Sequence, residues 1–107
     1  MTATAESTTA EATCSDQGGG RWLLTGELGF ATVPGLLDGA GRDLAVSASE
    51  VDLAGVTRAD SAGLALLIAW TRARNSTGKP IRFTHVPAQL LSIARVCGLE
   101  DILPLVD

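Results

Sequence analysis

Apolar and polar positions follow two rhythms along the chain, one near two residues and one near 3.6, the periods of strands and helices. Residues 21–26 form a short apolar run closed by a glycine and read as a strand, which Glu27, Leu28, Gly29 and Phe30 either extend or leave. Thr32 is then placed to cap a helix with Pro34 in its first turn. Leu36, Leu37, Ala40 and Leu44 recur along it at helical spacing, although Gly35, Gly39 and Gly41 weaken it. In residues 49–53, Val51 and Leu53 point one way and Glu50 and Asp52 the other, which predicts a second strand, with residues 54–59 as a connecting loop. A long helix follows from Asp60 or Ser61 to about Ser76, stopped by Gly78 and Pro80. Residues 80–85 alternate again, with Ile81 and Phe83 inward and Arg82 and Thr84 outward, as a third strand. Pro87 opens a last helix that carries Leu90, Leu91, Ile93, Ala94 and Cys97, and Gly98 closes it. Residues 99–106 are a short closing segment, read as one further turn of helix.

Strand and helix therefore alternate, which predicts an α/β domain with a small, mostly parallel sheet and helices packed against it. The length of 107 residues suits one domain. Residues 1–20 are rich in Ala, Thr, Ser and Gly and end in Gly18, Gly19 and Gly20; they read as a disordered tail, leaving residues 21–107 as the domain. On that reading, removing the tail leaves the melting temperature unchanged.

Composition narrows the function. Hydrophobic residues make up 46% of the chain and charged residues 19%, enough for a core. The net charge of −4 leaves no basic excess to neutralise phosphates, so neither a nucleic acid nor an anionic membrane surface is expected as the primary partner. No run approaches the roughly 18 apolar residues that span a bilayer, so no direct membrane insertion is expected. The N-terminus lacks the basic start and apolar stretch of a signal peptide, so a cytoplasmic location is expected. Cys14 and Cys97 are far apart and lack metal-ligand spacing, so both read as free thiols; no metal and no cofactor is expected.

The long helix carries the most information. Leu64, Leu67, Ile68 and Thr71 fall on one side, with Leu66, Trp70 and Ala73 beside them, as a wide core-facing stripe. The remaining arc holds Ser61, Ala62, Ala65, Ala69 and Arg72. A solvated face normally carries Glu, Lys or Gln, whereas these small side chains let another backbone approach closely. The same arc is also compatible with a plain alanine-rich exposed face. Asp60 or Ser61 can cap the first turn. The helix start also suits an anion, and a serine hydroxyl there is within reach of a partner.

Asp60-Ser61-Ala62-Gly63-Leu64-Ala65-Leu66-Leu67, preceded by Val51-Asp52-Leu53 and followed by Gly78-Lys79-Pro80-Ile81, resembles the STAS domain. Within it the run is similar to the MlaB-like STAS subunits of the Mla phospholipid ABC transporter. The resemblance covers Arg21 to about Leu105. It implies a sheet of about four strands flanked by helices. It also implies a non-catalytic role: binding and supporting the transporter ATPase, at the inner face of the membrane through that transporter, with Ser61 at the contact. Phosphorylated anti-sigma factor antagonists usually read Asp-Ser-Ser-Gly-Leu-Gly, so Ala62 and Ala65 depart from them, while Ser61 is present. The second reading is therefore an anti-sigma factor antagonist whose Ser61 is phosphorylated by its anti-sigma factor kinase. An enzyme is the third. His85 is the sole histidine, no Gly-x-Ser-x-Gly elbow surrounds Ser61, and strand-end and cap roles account for Asp52 and Asp60.

Overall fold

In a computed structural model of the chain, residues 12–38, 40–99, 103 and 105–106 are described. The elements, in order, are β1 (Ala12–Gly18), β2 (Arg21–Leu28), α1 (Val33–Leu36), α2 (Ala40–Ser47), β3 (Glu50–Ala59), α3 (Ser61–Asn75), β4 (Arg82–Thr84), α4 (Ala88–Val96) and β5 (Leu105–Val106). The strands form one sheet in the order β1-β2-β3-β4-β5. β1 runs antiparallel to β2, and the pairs β2–β3, β3–β4 and β4–β5 are parallel. The protein is thus of the α/β class, with a mostly parallel sheet flanked by helices.

One face of this sheet is covered and the other is open. Trp22 and Leu24 of β2, Val51 and Leu53 of β3, and Phe83 of β4 are buried. Their neighbours Arg21 and Arg82 are exposed, and Leu23, Glu50 and Asp52 are half-buried. Such alternation marks a sheet with helices on one side only. On the covered side Leu36, Leu44, Leu66, Leu67, Trp70, Leu90 and Ala94 complete the core. On the open side Glu50 pairs with both Arg21 (3.6 Å) and Arg82 (3.3 Å). Both Trp22 and Trp70 lie in the core.

Four local readings are corrected. Residues 12–18 are not tail but an edge strand, in register from Ala12 opposite Gly26 to Asp16 opposite Trp22, with a register shift before Gly18 meets Arg21. Thr13 and Thr25 join across the pair through their hydroxyls at 2.6 Å, and Ala12 and Cys14 pack against the core. Gly18, Gly19 and Gly20 form the hairpin turn, with φ of 90°, 64° and 83°, a region that favours glycine. Residues 1–11 of the expected tail lie outside the described residues.

Residues 54–59 are not a loop, because β3 continues along β2 to the pairing of Leu28 with Ala59. Two register shifts take up the mismatch, and at the first the Asp52 carboxylate accepts the Ala54 N–H at 2.8 Å. The first helix divides into α1 and α2. Thr32 holds the N-cap position of α1, with Pro34 in the first turn, but its hydroxyl makes no capping bond: it donates back to the Glu27 carbonyl (2.6 Å) and accepts from the Gly29 N–H (3.0 Å). Finally, Leu105 and Val106 are a strand beside β4, not a turn of helix.

A chain starting at Gly19 keeps β2 and all that follows but loses β1. Its melting temperature is expected to fall by several degrees, because the β2 edge and part of the core beneath Ala12 and Cys14 open to water. Thermal unfolding of the two chains checks this; an unchanged midpoint contradicts the role assigned to β1.

Candidate functional site

Adjacent parallel strands end together. β2 finishes at Leu28 and β3 at its partner Ala59, and the chain leaves both at the same end of the sheet. From Leu28 it enters the loop that carries Gly29 and Phe30; from Ala59 it enters α3. The two exits are tied by the Asp60 N–H, which donates to the Leu28 carbonyl at 3.0 Å. Asp60 is the cap of α3, its carboxylate accepting the Ala62 N–H at 2.8 Å. Ser61 is therefore free of the capping task. It is the first helical residue, it is exposed, and no hydrogen bond to another described residue engages its hydroxyl.

Gly63 makes this arrangement fit. A Cβ there would meet Leu28 Cβ at 2.8 Å and the Leu28 carbonyl oxygen at 3.1 Å, so only glycine lets the helix seat this deeply on β2. Leu64, Leu66, Leu67, Trp70 and Thr71 are buried, and Ile68 and Ala73 half-buried, along the stripe that faces the core. On the opposite arc Ser61, Ala65, Ala69 and Arg72 are exposed, while Ala62 is half-buried and touches the core cluster. Arg72 stands in the last turn, where a cation offsets the negative end of the helix dipole.

At the foot of the helix lies a shallow cleft of about 190 Å³. Glu27, Gly29, Arg58, Asp60 and Gln89 line it. Gln89, at the start of α4, accepts the Ala59 N–H through its side-chain oxygen at 3.0 Å. Sequence pattern did not single out Gln89, Arg58 or Phe30. Phe30 could have been noticed as an aromatic residue set between a glycine and a helix start. Arg74 was also missed: it is 4% exposed and donates to the Val46 carbonyl, joining α3 to α2.

His85 sits elsewhere. It takes a left-handed backbone (φ 54°) just after β4, and its Nδ1 lies 2.9 Å from Asp52 Oδ1. Asp52 is near the start of β3, whereas Ser61 follows its far end, roughly 20 Å away at about 3.3 Å per residue. Ser61, His85 and Asp52 thus form no catalytic triad. Among the described residues no cluster of three or more His, Cys, Asp or Glu is placed to hold a metal. Both thiols are free. Burial, aided by the negative charge of Asp43, pushes the Cys14 thiol up from its ordinary pKa. Among the described residues no helix is long and apolar enough to cross a membrane.

Comparison with known proteins decides the family. The family model described as "Mlab, STAS domain" matches residues 19–107. The chain belongs to the STAS-domain family. Solved structures agree on the fold. An anti-sigma factor antagonist from Mycobacterium paratuberculosis is similar at a TM-score of 0.66 and 22% identity, covering 88% of this chain and 82% of that one. The anti-sigma factor antagonist SpoIIAA in its unphosphorylated form is similar at a TM-score of 0.64 and 11% identity, covering 90% and 86%. No curated protein matches the sequence. In this STAS domain, then, the central helix opens at the joined ends of β2 and β3.

Replacing Gly63 with alanine tests the close approach. Alanine is the better helix former by about 1 kcal/mol, yet the variant is expected to lose about 1–3 kcal/mol through overpacking against Leu28. Denaturant unfolding measures the sign; a gain in stability contradicts the packing described.

Proposed function

We propose that this STAS domain is a non-catalytic subunit that binds and supports the ATPase of an ABC-type phospholipid transport system, through the outer arc of α3. The observation that carries the reading is the exposed, small-sided surface of Ser61, Ala65 and Ala69, closed by Arg72. Small side chains leave the helix backbone accessible, cost little rotamer entropy on binding, and admit a closely packed partner helix. Ala62, half-buried against the core cluster, belongs to the same proposed contact. The family model's own description, Mlab, favours the transport reading over others open to STAS domains. No cofactor enters the proposal, and the place of action is the cytoplasm, at the inner face of the membrane through the transporter.

A second reading keeps the same face and changes the partner. Because Asp60 does the capping, the exposed Ser61 hydroxyl is available to a kinase. As an anti-sigma factor antagonist, the domain would lose its kinase partner once Ser61 gained about two negative charges. Binding assays with a purified ABC-type ATPase and with a purified anti-sigma factor kinase separate the two.

Ala65→Glu is expected to weaken ATPase binding strongly, since it drives a charge and added bulk into a close contact, while leaving stability within about 0.5 kcal/mol. Ser61→Asp is expected to weaken binding too, yet the helix start tolerates the charge. Leu67→Ala, wholly buried, is expected to cost about 2–5 kcal/mol of stability. Thermal unfolding and calorimetric titration of the three variants check this; Ala65→Glu binding like wild type, or unfolding, contradicts the assigned face. Purified protein is also expected to hydrolyse neither ATP nor esters, and a turnover abolished by Ser61→Ala would contradict the non-catalytic reading.

A further inference from the structure

Phe30 is 77% exposed, although a phenylalanine is among the side chains that folding most favours burying. It does not hang on a slack loop. The Gly29 carbonyl accepts the N–H groups of Thr32 (3.1 Å) and Val33 (2.9 Å), and the Thr32 hydroxyl bridges the Glu27 carbonyl and the Gly29 N–H. Pro34 stiffens the turn of helix that follows. On its other side the loop leans on α3: Asp60 N–H holds the Leu28 carbonyl, and a Cβ on Gly29 would stand 3.1 Å from the Asp60 carboxylate. Phe30 and Ser61 thus each follow directly on one of two neighbouring residues, Gly29 and Asp60.

From this we infer that Phe30 is the apolar anchor of the partner interface, extending the docking surface from α3 onto the β2–α1 loop. The inference rests on the reading of α3 as the partner-binding face and adds what that partner must offer: an apolar recess for one aromatic ring, with a basic rim. A ring held out by a pinned loop loses little freedom on binding, which is the property that makes aromatic residues dominate interface energetics. The basic rim follows from charge. The cleft at the foot of α3, lined by the Gly29 that precedes Phe30, carries two carboxylates, Glu27 and Asp60, against one guanidinium, Arg58. That balance suits a cationic protein surface and opposes an anionic bilayer.

Val96 supplies the control. It is 87% exposed, but it ends α4, which starts beyond the same sheet end as Ser61 and runs to the other. Calorimetric titration of a purified ABC-type ATPase subunit with Phe30→Ala, Val96→Ala, Ala65→Glu and wild type tests the inference. Phe30→Ala is expected to weaken binding tenfold or more at an unchanged melting temperature, with Val96→Ala binding as wild type. If Phe30→Ala binds normally while Ala65→Glu does not, the anchor is wrong and the α3 face stands. If neither variant weakens binding, the reading of α3 itself fails. A melting temperature several degrees lower in Phe30→Ala overturns the inference, since the ring would then be packing within its own chain. So does self-association of wild type that Phe30→Ala abolishes, which would place a second copy on the ring.

Discussion

The seat of α3 on the ends of β2 and β3 is the contact on which the rest of this domain depends. Three features meet there within four residues. Asp60 gives its N–H to Leu28, its carboxylate caps the helix at Ala62, and Gly63 lets the helix settle against Leu28 without a Cβ between them. Once these are satisfied, the rotation of α3 about its axis is set. Leu64, Leu67 and Trp70 must face the sheet, and Ser61, Ala65 and Ala69 must face away. The site is therefore a consequence of packing. The residues that build the fold at this point also determine which hydroxyl and which small side chains the helix exposes.

The sheet's asymmetry strengthens that conclusion. Helices cover one face only, and the other carries the ion pairs of Glu50 with Arg21 and Arg82 and the contact of His85 with Asp52. Exposed pairs of this kind contribute at most about 1 kcal/mol each. They keep the open face wet and charged. Phe30 and the alanine arc lie at the α3 end of the sheet, away from these charged pairs.

How much of this was legible in sequence depended on how strictly each segment kept its period. The recurrence of Leu64, Leu67, Ile68 and Thr71 marked α3 and its buried stripe, and the alternation of Ile81 with Phe83 marked β4. β3 was read short because Gly55 and two bulges interrupt the alternation that Val51 and Leu53 begin. β1 was read as tail because an edge strand needs only one partner and little apolar content. Its signal, Ala12 and Cys14 alternating with Thr13 and Ser15 ahead of three glycines, is that of a hairpin, and the composition masked it. The break between α1 and α2 was foreshadowed by Gly35, Gly39 and Gly41. At the site, the Asp60-Ser61 pair left the capping residue open, since either side chain can cap; the Asp60 carboxylate accepting the Ala62 N–H shows that Asp60 does so. Gln89 acts through a contact with Ala59, far from it in sequence, which no local pattern records, whereas Phe30 shows locally only as an aromatic residue between a glycine and a helix start.

The α3 face can be observed without adding bulk to it. Selective methyl labelling of alanine reports Ala65 and Ala69 on that face and Ala54, exposed on β3, as an internal reference. On addition of a purified ABC-type ATPase subunit, the Ala65 and Ala69 methyl resonances are expected to shift or broaden while that of Ala54 stays in place. A complex that forms with Ala65 and Ala69 unperturbed would contradict the account.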